Sequence, residues 1–170
     1  MAGRRDLSFD RLDDVMPEVD RLLSGHTRAG SWTLGQVLHH LASAIRLTMA
    51  PPTPFVEGGP RADREAEVAR RRFFRAGRFP DGVQVPHPSL LPPVEADERV
   101  QAESLRSAFR GFADHDGPLP AHPLLGPLSR DEWDAFHRLH CAHHLGLVRP
   151  DPAGCTPPPD SGGPIEGGSR

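Results

Sequence analysis

The chain has 170 residues, with 17 Gly, 20 Pro, 20 Lys+Arg, 23 Asp+Glu, 10 His and a formal net charge of −3. That length supports one domain with its own core, and the slightly acidic balance disfavours a general nucleic-acid binder. No apolar run approaches the roughly 18 residues of a membrane span, and the polar residues after Met1-Ala2-Gly3-Arg4-Arg5 lack a secretory signal pattern.

Cys141 and Cys155 make no disulfide framework, so a reduced, cytoplasmic setting is expected. Lys, Asn and Tyr are absent, while Arg, Pro, Gly and Ala are abundant. That pattern suits a GC-rich coding sequence, which discounts the Pro and Arg counts. Histidine codons gain nothing from such a bias. The positions of the histidines therefore carry the information.

In chain order, residues 9–23 predict a first helix, with Leu12, Val15, Val19, Leu22 and Leu23 at helical spacing. Pro17 predicts a kink or a restart. Thr33-Leu34-Gly35-Gln36 is a capping box opening a second helix, which Pro51 stops. A polar third helix covers residues 63–76. A loop with Pro80, Pro86, Pro88, Pro92 and Pro93 follows. Residues 97–113 predict a fourth helix, with Val100, Leu105, Ala108, Phe109 and Phe112 on one stripe. A second capping box, Ser129-Arg130-Asp131-Glu132, opens a fifth that ends before Pro150.

No stretch shows strand alternation. The expected fold is all-α: an antiparallel four-helix bundle over residues 1–150 with Pro-rich loops. Residues 151–170, with five Pro and five Gly, are expected to be a disordered tail.

Helical faces sort the histidines. At about 100° per residue from Leu34, His40 falls beside Ala44 at the edge of the apolar stripe, and His39 falls near Arg46 on the wet side. On the fifth helix, His140 and His144 sit within about 20° of Trp133, in the middle of the apolar face, flanked by His137 and His143. Four imidazoles on a core face are costly to bury without partners.

A metal ion is one partner. His140 and His144 are four residues apart and share one ion's reach. His40 from a facing helix completes a three-nitrogen set with an open position, the arrangement of a catalytic site. Imidazole suits zinc, nickel, iron and copper alike, so ligand type alone does not choose the metal; zinc or nickel is expected, with iron compatible. The competing reading is a set of core histidines bonded to backbone carbonyls.

The stretch Ser31-Trp32-Thr33-Leu34-Gly35-Gln36-Val37-Leu38-His39-His40-Leu41-Ala42 resembles the second-helix motif of the DinB/YfiT-like superfamily. His140-x-x-His143-His144-Leu145 resembles its second metal motif. His122-Pro123-Leu124-Leu125-Gly126, with Glu132-Trp133, is similar to a branch catalogued as a domain of unknown function. The resemblance covers roughly residues 8–150. It implies a four-helix bundle whose metal is held by His40, His140 and His144. Members of the superfamily include thiol-dependent transferases and isomerases and metal-dependent hydrolases. It therefore implies a small-molecule substrate and a divalent ion, with a low-molecular-weight thiol as a further co-substrate class. A homodimer is compatible, and a non-catalytic metal- or ligand-binding bundle is the alternative.

Around that set, Gln36 lies one turn before His40, either orienting it or serving the capping box. His137 and His143 are candidate acid–base groups, or bond their neighbours. His122 lines a pocket mouth or belongs to a turn. Cys141 reads as a packing residue. His26, His87 and His115 receive no role. Arg70 to Arg75 read as a solvated helix surface, with a Glu67–Arg71 pair and anion binding as the alternative.

Overall fold

The structure, a computed structural model, describes residues 4–28, 30–50, 64–82 and 88–152. A 3-10 turn, Leu12–Asp14, runs directly into α1, Val15–Leu23. Pro17 thus lies in the first α-helical turn, where backbone N–H groups have no intrahelical partner to lose. Val15, Met16, Val19 and Leu22 form its buried stripe.

α2 spans Leu34–Met49 and has the capping box that the sequence predicts. Thr33 Oγ1 accepts from the Gln36 amide at 3.2 Å, and Gln36 Oε1 accepts from the Thr33 amide at 3.0 Å. Ala50, the residue before Pro51, is extended, as proline demands of its predecessor. α3, Arg64–Ala76, ends at Gly77, whose φ of +60° is the usual left-handed helix stop. A second 3-10 turn, Pro88–Leu90, leads toward α4, Glu98–Asp114, which Asp97 caps by accepting from the Val100 amide. α5, Arg130–Leu145, carries the second predicted capping box. Arg130 reaches back to the carbonyls of Phe112, Ala113 and His115, placing a cation at the C-terminal end of α4.

α2 packs mainly along α4 and also against α5, while α1 meets both α4 and α5. The core between them holds Leu22, Leu34, Leu38, Leu41, Ile45, Leu105 and Leu145, all essentially inaccessible. α3 joins through side chains: Phe73 packs on Phe136, and Arg70 donates to the Pro127 carbonyl. Arg70 is therefore a tether rather than part of a wholly solvated face, whereas the Glu67–Arg71 pair is exposed as expected.

The fold is mostly helical, but the all-α expectation needs correction. β1, His26–Arg28, pairs antiparallel with β2, Val148–Pro150, matching His26 to Pro150 and Arg28 to Val148. Three-residue strands are too short to show alternation, and their pairing is a backbone event. The fifth helix accordingly stops at Leu145, and β2 carries the buried Val148 onward. Val100 departs from its predicted stripe and is 61% exposed at the start of α4. The expected tail lies outside the described residues from 153 onward.

Arg5 locks the N-terminal segment to this junction. Its guanidinium pairs with Glu18 Oε1 at 2.5 Å and donates to the carbonyls of Leu145 and Val148. Both charged side chains are largely buried, at 16% and 12% exposure. We expect Arg5→Ala to cost about 1–3 kcal/mol in chemical denaturation, because Glu18 loses its hydrogen-bonded cation and keeps only the more distant, exposed Arg21 at 3.7 Å, and two carbonyls lose a donor. Arg5→Lys should recover little, since an ammonium cannot span the three acceptors as the fork does.

Candidate metal centre

Three imidazoles meet where α2 faces α5. His40 Nε2 and His140 Nε2 lie 3.1 Å apart, and one ring nitrogen from each of His40, His140 and His144 falls within 4.8 Å of the others. The ring centroids are 4.7–5.0 Å apart. His40 is 3% exposed and His140 is 7% exposed, while His144 is half-buried. The set reached from helical faces is thus the set that the fold brings together.

His40 has the best-defined ring. Its Nδ1 lies 2.8 Å from the Leu90 carbonyl, which can only accept, so Nδ1 carries the proton. In the neutral ring Nε2 is then a bare lone pair directed at His140. Burial lowers the pKa of His40, partly offset by the Leu90 bond. Burial also holds His140 well below its ordinary value, and the neighbouring imidazoles lower it further. For His144 the same causes bring the pKa to about 3. All three are neutral at pH 7, the form that ligates metal.

The Leu90 carbonyl is delivered by the segment 88–97, which seats on the first turn of α2. A Cβ built on Gly35 would meet the Ala96 carbonyl oxygen at 2.0 Å, so glycine is required for this approach. Gln36 Nε2 donates to the carbonyls of Pro93 and Val94 at 3.0 and 3.2 Å. Gln36 therefore serves its cap and anchors the segment, while the bond to His40 Nδ1 comes from Leu90. Its effect on His40 is indirect.

Residues missed by sequence reasoning line the cluster. Trp32 stacks on His144 and tilts over His40. Phe79 stacks on His140 and touches His143. The position of Trp32 next to the Thr33 cap was a readable signal, since the cap fixes how the chain enters α2. Phe79 and the Leu90 carbonyl had none, because Phe79 lies in irregular backbone and Leu90 contributes a main-chain group from a short 3-10 turn.

The remaining histidines separate. His143 lies beside His144, with ring centroids 4.9 Å apart. It lines a cleft of about 240 Å³ with Arg4, Arg78, Phe79 and Ala142. Burial and then the Arg4 charge lower its pKa. His137 lies away from the trio, stacked on Trp133 and edge-on to Phe112. Its Nε2 is 3.4 Å from Thr48 Oγ1, and its Nδ1 is buried with no partner among the described residues. Burial brings its pKa to about 3. His122 Nδ1 accepts from the amides of Leu124 and Leu125, closing the turn that ends at Gly126, and burial brings its pKa to about 4. Phe136 touches both His122 and His140. His39, expected on the wet side, is half-buried and reaches Gln101 on α4, as Arg46 reaches Ser104. Cys141 is buried in the core, and burial pushes its thiol well up. His87 and Cys155 lie outside the described residues.

Fold and site together define a mostly helical protein with a buried three-histidine cluster. The chain belongs to the family described as protein of unknown function (DUF1569), whose profile matches residues 1–151. No curated protein and no solved structure matches it significantly.

Two predictions follow from this geometry. Gly35→Ala should displace the segment 88–97, break the Leu90–His40 bond and lower the melting temperature by several degrees, for a cost of about 1–3 kcal/mol. A proton spectrum of His40 Nδ1–H reports the broken bond directly. The pH dependence follows from His122 and His137. Their folded pKa values lie below the unfolded value of about 6.5, so below that pH the unfolded chain binds protons that the folded chain does not. Stability should be full above pH 6.5 or so and fall toward pH 4, by about 1.4 kcal/mol per unit for each imidazole. His137→Phe should flatten that slope in melting curves taken between pH 7 and 5.

Proposed function

We propose that the chain is a divalent-metal-dependent enzyme of the DinB-like type, with His40, His140 and His144 as the ligands. The observation that carries this reading is the convergence of three neutral imidazoles, one of which is fixed with its lone pair inward. The donor set suits the ion in kind, with three neutral imidazole nitrogens within 4.8 Å of one another, and the widest separation would have to close to about 3.4 Å on binding. Two nitrogens bound at about 2.0–2.1 Å lie about 2.9 Å apart at a right angle and about 3.4 Å apart at the tetrahedral angle. The 3.1 Å between His40 and His140 falls between these values. Zinc or nickel is the ion expected, with iron compatible, since imidazole serves all three. The mutual packing of α1, α2, α4 and α5, with α3 at the side, supports a four-helix bundle and the link to the DinB/YfiT-like superfamily.

When bound, such an ion supplies Lewis acidity, which polarises a carbonyl and eases loss of a proton from water or a thiol. The reaction is then transfer to, or hydrolysis of, a small molecule, with a low-molecular-weight thiol as the co-substrate of a transferase. His143 is the nearer acid–base candidate, since it touches His144 and lines a cleft. His137 is the more remote, walled in by Trp133 and Phe112. A second reading, a non-catalytic metal- or ligand-binding bundle, draws support from the deep burial of His40 and His140.

Metal analysis of untagged protein tests the proposal. One ion per chain is expected, with affinity reduced ~100-fold or more in His140→Ala, a loss at least as large as those seen for outer-shell partners. Zinc or nickel at ~100 times its Kd should stabilise the wild type by about 2.7 kcal/mol. Absence of metal from both proteins, with unchanged melting on adding zinc or nickel, overturns the metal reading. Turnover in a substrate screen of loaded protein, with and without thiols, separates the enzyme from the binder.

A further inference from the structure

Ligating imidazoles are ordinarily oriented by a hydrogen bond from their second ring nitrogen to a carbonyl or carboxylate. His40 has one, from Nδ1 to Leu90. His140 and His144 differ. Among the described residues, the one hydrogen bond of the His140 ring is Nε2 to His40, and the His144 ring has none. What touches these two rings instead is aromatic. The Phe79 ring lies nearly parallel to His140, with centroids 4.8 Å apart and planes 24° apart. The Trp32 ring lies nearly parallel to His144, with centroids 5.8 Å apart and planes 13° apart. Both separations fall in the range of about 4.5–7 Å over which offset rings attract.

Each aromatic ring is itself held. Trp32 immediately precedes the Thr33 cap, whose two reciprocal bonds set the direction of the chain there. Its ring also contacts His40 at 5.0 Å. Phe79 packs edge-on against Phe73 and Phe136, so α3 and α5 both brace it.

We propose that Trp32 and Phe79 are positioning residues of the three-histidine centre, fixing the ring planes of His144 and His140 by stacking where the described residues offer those rings no hydrogen-bond partner outside the cluster. This rests on the metal reading above. It assigns α3 a function as well: through Phe73 it holds the phenyl ring that orients a ligand on α5. The division is chemical. One ligand is oriented by a carbonyl, which fixes both tautomer and plane. The other two are oriented by apolar faces, which fix the plane alone; in the ion-free protein His140 Nε2 carries the proton that it donates to His40, and ligation through that nitrogen requires the proton to leave it.

Cobalt(II) titration of the untagged full-length chain tests this, reading both affinity and the visible ligand-field bands. The series are Trp32→Phe and Trp32→Leu at one position, and Phe79→Tyr and Phe79→Leu at the other. The aromatic replacements should keep cobalt affinity within about threefold and preserve the bands. The leucine variants should lose about 10–100-fold, the range seen when outer partners of ligands are removed. Their bands should shift as the rings reorient. Metal-free melting temperatures show whether each variant folds, and an unfolded leucine variant at one position leaves the other series to decide. Leucine variants that match the wild type in affinity and spectrum overturn the proposal. Failure of the wild type itself to bind cobalt, zinc or nickel instead overturns the metal reading on which it stands.

Discussion

The segment from Pro88 to Asp97 rests on the first turn of α2, and that seat governs the histidine cluster. Gly35 lets the Ala96 carbonyl approach to a distance that any side chain would block. Gln36 then bonds the carbonyls of Pro93 and Val94, and the Leu90 carbonyl arrives at His40 Nδ1. One backbone carbonyl thereby decides the tautomer of His40, and the tautomer decides that its lone pair faces His140. Without the seat, His40 would be a buried imidazole with an unpaired N–H, a costly arrangement in a dry core.

Burial and ligation make the same demand of these rings. A charged imidazole is disfavoured in the core, and a protonated nitrogen cannot bind an ion. The fold pushes His40, His140 and His144 toward the neutral form before any ligand arrives. The cost is a chain whose stability depends on pH, because unfolding releases imidazoles that take up protons below about pH 6.5. His122 and His137 share that liability without joining the cluster. His122 turns its Nδ1 to its own loop, and His137 is enclosed by Trp133 and Phe112.

The small sheet and Arg5 solve a different problem. α5 ends at Leu145, just past His140 and His144, and a frayed end there would loosen both. β2 pairs with β1 immediately afterward, and Arg5 bonds the carbonyls of Leu145 and Val148. The end of α5 is thus tied to the end of α1 and to the N-terminal segment, which holds His140 and His144 at a fixed height opposite His40.

The sequence by itself determined the helices and the histidine set. Capping boxes at Thr33 and Ser129 and the stop at Pro51 are local chemistry, readable in a few residues. Helical periodicity placed His40, His140 and His144 on buried faces, because a face depends on spacing alone. The tertiary structure decided what orients those rings. Leu90 contributes a backbone carbonyl, which no side-chain pattern encodes, and Phe79 arrives from a loop whose path follows from packing. Gln36 shows the limit most clearly. Its spacing from His40 suggested direct contact, but its oxygen accepts from the Thr33 amide and its nitrogen donates to the Pro93 and Val94 carbonyls, while the Leu90 carbonyl serves the His40 ring. β1 and β2 were hidden for a related reason: three-residue strands are joined by backbone hydrogen bonds between distant parts of the chain, and such pairing exists only once the helices have brought them together.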